Sequence, residues 1–374
     1  MFHPIKAPLR QPLVTVIAVV KNEYFFLPAF LDHYRSLGAK QFIFLDDRST
    51  DRTHDYLMAQ SDCAVLASDL SYGNFVDGKK ADVHWRSAIP RAYCQGRWGL
   101  VVDADEFLEL PPGFADLETF AKFLEQRGHD AVGAVMVDFY PDKARDLNQT
   151  ETPSSLQDLL ARYPFFDDRS YGHWIPGRNR FQCVYGGVRD RLMRQHNIPM
   201  RTRDQQSLLR VLRKHLRKLA GIEKKTFFCA IHKVPLVRWS DDCAYLSSHN
   251  CTKIPAAGIQ LPLIHFKFTG SLLSKIDSAI SSAAYHKKSA DYISYRNLLT
   301  TMIDGDLSFL GEHSRRYTAK SDFIANQLLR FDVAEPPPTH ASLRPRFSPR
   351  LRQRKFENKI TREWRAEELP EQST

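Results

Sequence analysis

The run "LVTVIAVV", residues 13–20, is apolar at almost every position and rich in β-branched side chains. A strand with one wet face alternates apolar and polar residues, so a strand without alternation is buried on both faces, as in a parallel sheet covered by helices. The following segments keep that rhythm. Leu27, Phe30, Leu31, Tyr34 and Leu37 recur at helical spacing and stop at Gly38, where a helix C-cap belongs. "QFIFL" is a second strand, and Asp51 stands where it can cap a helix "RTHDYLMAQ". "AVLAS" is a third strand, and "DVHWRSAIPRAYCQG" a helix in which Pro90 predicts a kink. The strand "WGLVV", a helix through Leu117, Phe120 and Leu124, and the strand "DAVGAVMVDF" complete the series. Strand alternating with helix predicts an α/β fold: βαβ units on a mostly parallel, Rossmann-like sheet flanked by helices.

The rhythm changes after about residue 140. "RFQCVYGGVRDRLM" reads as a hairpin around Gly186 and Gly187, while "KVPLVRW" and "LPLIHFKF" are later strands that complete the first sheet. Leu272, Leu273, Ile276, Ile280 and Ala283 make an amphipathic helix for the core. The organisation expected is an α/β half over residues 1–140 and a mixed half over 141–335, helical towards its end, in the same domain. A basic tail rich in Pro and Arg follows over 336–374. Residues 201–225 carry nine Lys/Arg against Asp204 and Glu223, with Leu208, Leu209, Leu212, Leu216 and Leu219 on one helical face. Such a helix suits an anionic membrane surface, and equally a helix docked on the body with its basic face in water.

The formal net charge of +10 points to acidic partners, whether nucleotide phosphates, nucleic acid or anionic lipid. Six cysteines without a CxxC pair read as reduced thiols. The N-terminal apolar stretch is a strand rather than a signal peptide, and no window reaches the roughly 18 apolar residues of a spanning helix. A cytoplasmic location is therefore expected.

Ligands of a parallel sheet gather at the carboxyl ends of its strands, and three polar stretches fall there: "KNE", "DDRSTD" and "DADEF". Asp103 and Asp105 stand two apart, so an extended chain sends both to one face. Two converging carboxylates suit Mg²⁺ or Mn²⁺, which share an oxygen shell with phosphate; the plainer alternative is an acidic turn capping the helix after Pro111 and Pro112. Of Asp46 and Asp47, one suits a base or ribose while the other braces the turn, though "DDRSTD" alone also reads as a turn and N-cap. Asn22 and Lys21 suit the nucleotide and its phosphate, or a plain surface turn. His265 suits a third metal ligand or an ordinary hydrogen-bonded histidine, and Lys267, facing the same side, would neutralise a diphosphate. His249 is a weaker candidate. The phosphate-loop, GxGxxG, HExxH and GxSxG patterns are absent.

With these blocks in place, "VTVIAVVKNEYFFLPAFLDHYRSLGAKQFIFLDDRSTDRTHDYL" followed by "WGLVVDADEFL" resembles the family 2-like glycosyltransferases, especially the branch akin to family 92. The likeness covers residues 13–140 well and extends more loosely through "YGGVRDRLM" and "LPLIHFKF". It implies a GT-A fold, a nucleotide-diphosphate sugar as donor, a UDP-sugar first among them, a Mn²⁺ or Mg²⁺ ion, and inversion at the anomeric carbon. By position it implies Val19, Asn22 and Asp47 in the nucleoside pocket; Lys21, Glu23, Asp103 and Lys267 are further candidates for binding the donor. Asp103 and Asp105 would be the DxD pair, Asp105 the more direct ligand, and His265 the late metal-binding histidine. Residues 1–140 would then hold the donor and 141–335 the acceptor, a glycan or a lipid-linked hydroxyl at the inner face of the cell membrane, in surface polysaccharide synthesis.

One departure matters: no "ED" pair follows the DxD block, so the base is open among Glu106, Asp167, Asp168, Asp241 and Asp242. Asp168 and Asp242, in polar loops of the acceptor half, are preferred. Two other classes compete. A nucleotidyltransferase also pairs acids on Mg²⁺, but "VVKNEYFF" lacks the glycine-rich loop that grips a triphosphate. A nucleic-acid binder fits the charge, yet no RNP, zinc-knuckle or helix-turn-helix pattern accompanies it.

Overall fold

In the computed structural model the apolar runs pair as neighbours in one ten-stranded sheet. Its strands are β1 (His3–Lys6), β2 (Val14–Val20), β3 (Phe42–Asp46), β4 (Cys63–Ala67), β5 (Trp98–Val101), β6 (Glu106–Leu108), β7 (Ala131–Asp138), β8 (His232–Arg238), β9 (Ile259–His265) and β10 (Arg330–Phe331). The order is β1-β4-β3-β2-β5-β8-β7-β9-β10, with β6 paired to β9. Strands β4, β3, β2 and β5 run parallel, β7 and β9 run parallel, and β8 runs against both of its neighbours. Because β8 reverses between β5 and β7, those two point the same way. The carboxyl ends of β2, β3, β5, β7 and β9 therefore share one edge, and β8 brings its amino end there.

The structure describes residues 2–76, 78–149, 151–168, 171–174, 183–198, 230–282 and 286–332. The chain divides into one unit, Met1–Ala334, and a second, Glu335–Thr374. The basic segment 201–225 and the tail 336–374 lie outside the described residues.

The helices that position the site are α1 (Leu27–Ser36), α2 (Thr53–Ala59), α3 (Ala81–Tyr93), α4 (Leu117–Gln126), α5 (Leu156–Arg162), α6 (Val188–Gln195), α7 (Gly270–Ser282) and α8 (His286–Asp304). Strand β2 shows why its run does not alternate. Val14, Val16, Ala18 and Val20 enter the core beneath α1 and α4, with Phe30, Tyr34, Phe120 and Leu124, while Ile17 enters the core beneath α3, with Trp85 and Ile89. Each such buried side chain contributes about 1.5–3 kcal/mol by leaving water. A third cluster joins Tyr140, Leu192, Leu272, Ile276, Leu298 and Met302, seating α6, α7 and α8 beyond the sheet.

Helix α1 ends as the sequence predicts, with Gly38 at a φ of 78°. The capping acid of α4 is Asp116, which accepts from the Thr119 N–H at 2.7 Å, so Asp103 and Asp105 are free of that duty. The expected hairpin at Gly186 and Gly187 is not there. Cys183–Gly186 pairs instead with Tyr171–Trp174, and the two glycines, at φ 117° and 78°, turn the strand into α6. Val188, Leu192 and Met193 behind them carry helical spacing, which outweighs the glycine pair as a turn signal.

Candidate active site

Two loops are stitched together above β2 and β3. Asn22, held at a φ of 56°, accepts from the Thr50 N–H at 2.7 Å, and its own N–H donates to Ser49 Oγ at 2.9 Å. Asn22 is thus a brace between the loops. Asp46 braces too, accepting from the Ser49 N–H at 3.0 Å and facing His54 Nδ1 at 3.0 Å. Asp47, almost fully buried, accepts from the Tyr72 N–H at 3.0 Å and meets Lys21 at 3.4 Å. Val19 is half-buried one residue before the end of β2.

The acids after β5 have different fates. One oxygen of Asp103 is bound by Arg86 of α3 and the other by Lys233 of β8, the latter at 2.9 Å. Burial would raise this carboxyl, but the two cations hold it well below the usual range. Glu106 pairs with the same Lys233, accepts from the Asp103 N–H at 2.8 Å and is buried. Glu106 is therefore a support under the loop. Asp103 likewise has both oxygens bound by side chains, and at 36% exposure it still reaches water.

Asp105 keeps a partly open carboxylate whose Oδ2 faces His265 Nε2 at 3.6 Å. His265 Nδ1 lies 2.5 Å from Asp138 Oδ1, and Asp138 Oδ2 accepts from Arg189 Nε at 2.7 Å. Burial lowers the imidazole's affinity for a proton, but Asp105 and Asp138 outweigh it and lift His265 to about 9. Asp138 and Arg189 were missed in the sequence. Asp138 had a signal, being an acid at the end of an apolar strand like Asp103; Arg189 had none.

A second pair closes the edge, and of its two residues only Glu23 was expected there. Glu23, after β2, accepts from Lys275 Nζ of α7 at 2.7 Å. Burial raises Glu23 to about 7 despite that partner. Lys267 stands 5.6 Å from the Tyr292 ring centroid and 5.4 Å from that of Tyr295, and burial pushes its ammonium down.

The remaining base candidates separate by topology. Asp242 follows β8, which runs opposite to its neighbours, so it emerges at the far edge of the sheet, exposed and paired with Lys253 at 3.0 Å. Asp241, beside it, accepts from Gln95 at 2.7 Å. Both are removed from the site. Asp167 is buried and locked by Tyr140 and by Arg191 at 2.8 Å. Asp168, also buried, pairs with Arg315 at 2.7 Å and faces His313 Nδ1 at 3.8 Å, in a segment bridged to Tyr140 just past β7. A cleft of about 850 Å³ runs along β7, β8 and β9, lined by His129, Gly133, His232, Lys233, Lys253 and Arg330.

Among the described residues no three His, Cys, Asp or Glu side chains converge tightly enough to enclose an ion. Two of them fit a hard divalent cation. Asp105 offers an oxygen, and His265, held through Nδ1 by Asp138, faces it with Nε2, which would bind a cation once its proton is lost. Mg²⁺ and Mn²⁺ ordinarily complete such a shell with water and substrate phosphate.

No protein-family model and no curated protein matches the chain. Solved structures do. S. aureus TarS is similar at 14% identity over 50% of this chain and 30% of that one, with a TM-score of 0.28. TarS 1–349 in complex with UDP is similar at 15% identity, over 50% and 49% of the two chains, with a TM-score of 0.25. The mannosyltransferase PcManGT from Pyrobaculum calidifontis, in complex with GDP-Man and Mn²⁺, gives 19% identity over 38% and 40%, with a TM-score of 0.23. A protein described as a glucose-1-phosphate thymidylyltransferase, from Bacillus anthracis, gives 6% identity over 34% and 56%, with a TM-score of 0.24. The chain spans less than half the length of either TarS chain. At these scores the likeness carries no argument about activity.

Proposed function

We propose that this chain is a glycosyltransferase of GT-A type. It moves a sugar from a nucleotide-diphosphate sugar, a UDP-sugar first among them, to a hydroxyl of a glycan or lipid-linked acceptor, with inversion. The observation that carries the reading is the meeting, at one edge of the sheet, of the Lys21–Asp47 pair, the carboxylate of Asp105 and the Asp138-anchored His265.

Each group has a part in this reading. Lys21 and Asp47 receive the nucleoside end of the donor. Asp105 and His265 would hold Mn²⁺ or Mg²⁺, an ion that when bound takes up charge developing on the diphosphate leaving group. Asp138 keeps the His265 ring in the orientation and tautomer that face Asp105. Arg86 and Lys233 fix Asp103, so that the turn presenting Asp105 is rigid. Asp168 is the proposed base: it takes the acceptor hydroxyl's proton while the oxygen attacks the anomeric carbon opposite the leaving group, which inverts that centre. A base of this kind contributes about 10²- to 10⁴-fold.

The test is nucleoside diphosphate release by purified protein from a panel of UDP-, GDP- and TDP-sugars with Mn²⁺. The expected result is turnover of at least one donor, abolished by EDTA and lowered at least about 10²-fold in Asp105→Ala, the scale on which removing a transition-state charge partner acts. Full metal-dependent turnover by that variant, or pyrophosphate release from a nucleoside triphosphate instead, overturns the reading.

A further inference from the structure

The Glu23–Lys275 pair is not accounted for by folding alone. It joins residues 252 apart, and each side chain is largely withdrawn from water, at 23% exposure for Lys275 and 17% for Glu23. Removing two charges from water is rarely repaid by their attraction, and apolar residues of similar size commonly serve stability as well or better. The pair also stands where a core pair would not, above the carboxyl end of β2 at the site's edge. Lys275 interacts electrostatically with Asp105 and with Tyr292, the ring beneath Lys267.

The backbone holding Lys275 is seated firmly. Helix α7 begins at Gly270, where a Cβ would meet the Leu147 carbonyl oxygen at 2.4 Å, and Leu272 and Ile276 anchor its apolar side in the core. The Lys275 ammonium stands 5.2 Å from the centroid of the Phe26 ring. Two ammonium groups thus reach the Asp105 side of the edge from the second half of the chain, Lys275 from α7 and Lys267 from the segment after β9.

We infer that Lys275 binds the diphosphate of the nucleotide donor, and that Glu23 is the carboxylate that holds its ammonium in place until phosphate oxygens take over. This rests on the reading of the site as a nucleotide-sugar site and assigns to it a residue from the far end of the chain. Phosphate is the fitting class because the position needs several acceptor oxygens close to two ammonium groups and beside a carboxylate–imidazole pair suited to a divalent cation.

The experiment is calorimetry in Mn²⁺ with UDP, GDP, TDP and inorganic pyrophosphate, and ligand-observed NMR with the corresponding nucleosides. The proteins are the wild-type full chain, Lys275→Met, Lys275→Arg and Glu23→Gln. In Lys275→Met, affinity for the preferred nucleoside diphosphate and for pyrophosphate should fall at least about tenfold, with nucleoside binding unchanged. Lys275→Arg should restore most of the loss, and Glu23→Gln should bind the diphosphate at least as tightly as wild type. A Lys275→Met protein that melts like wild type and binds the diphosphate equally well overturns the inference and leaves the site reading standing. Equal loss of diphosphate and nucleoside overturns it too, as general damage. A wild-type chain that binds none of the nucleoside diphosphates overturns both.

Discussion

Asp103 and Asp105 are two residues apart and chemically identical, yet Asp103 is bound by two cations while Asp105 faces a histidine. The difference is made by Arg86 and by Lys233, the latter reaching Asp103 and Glu106 from 130 and 127 positions away. Local sequence encodes where a carboxylate or an imidazole emerges from a strand, which is how Asp105 and His265 were expected at the carboxyl edge of the sheet; it does not encode which distant cation will meet such a group. Two outcomes follow. Metal affinity, measured by calorimetry, should survive in Asp103→Asn and collapse in Asp105→Asn, whereas equal loss in both would restore Asp103 as a ligand. Lys233→Met should destabilise the protein by about 3–5 kcal/mol in urea unfolding, because Glu106 and Asp103 lose a buried partner. An unchanged midpoint would mean that those acids are neutral in the fold.

Among the elements, the strands and helices of the first half were legible because short apolar runs rich in β-branched and aromatic residues alternate with longer segments of helical spacing. The direction of β8 was not. "KVPLVRW" is equally apolar whichever way it runs, and its reversal carries Asp241 and Asp242 to the wrong edge. The glycine pair at 186 and 187 misled for a related reason: positive φ serves a hairpin and a strand-to-helix junction alike. Helix α7 offers a test at this scale. Gly270→Ala places a methyl against the Leu147 carbonyl oxygen, and overpacking of this kind costs about 1–3 kcal/mol. We expect a lower melting temperature together with weaker nucleoside diphosphate binding, since the helix carrying Lys275 must shift. A lower melting temperature with unaltered binding would separate α7 from the site.

Across the whole molecule, the sheet edge gathers cations as well as acids, and His249 records this. Burial, and then the neighbouring Lys233 ammonium, push His249 down to about 3 from the ordinary 6.5. Between those values the unfolded chain holds a proton that the folded chain does not, so stability falls as pH drops from 6.5 towards 3. One such group gives at most about 1.4 kcal/mol per pH unit. Urea midpoints of His249→Gln should show a shallower acid slope than wild type; parallel slopes would assign the acid loss to other groups. The formal charge of +10 belongs to the same scale. We propose that residues 201–225 bring the protein to anionic lipid at the inner face of the membrane. Sedimentation with phosphatidylserine vesicles should weaken when their lysines and arginines are neutralised, and equal pelleting would refute it.

All of this depends on a divalent cation at Asp105 and His265 joined to a nucleotide's phosphates. Anomalous scattering from crystals soaked with Mn²⁺ and the preferred nucleoside diphosphate tests it directly. The account predicts a manganese peak touching Asp105 and His265, with phosphate oxygens on its other side and Asp103 still held by Arg86 and Lys233. A nucleotide bound at the opposite edge, or manganese coordinated without either Asp105 or His265, would contradict it.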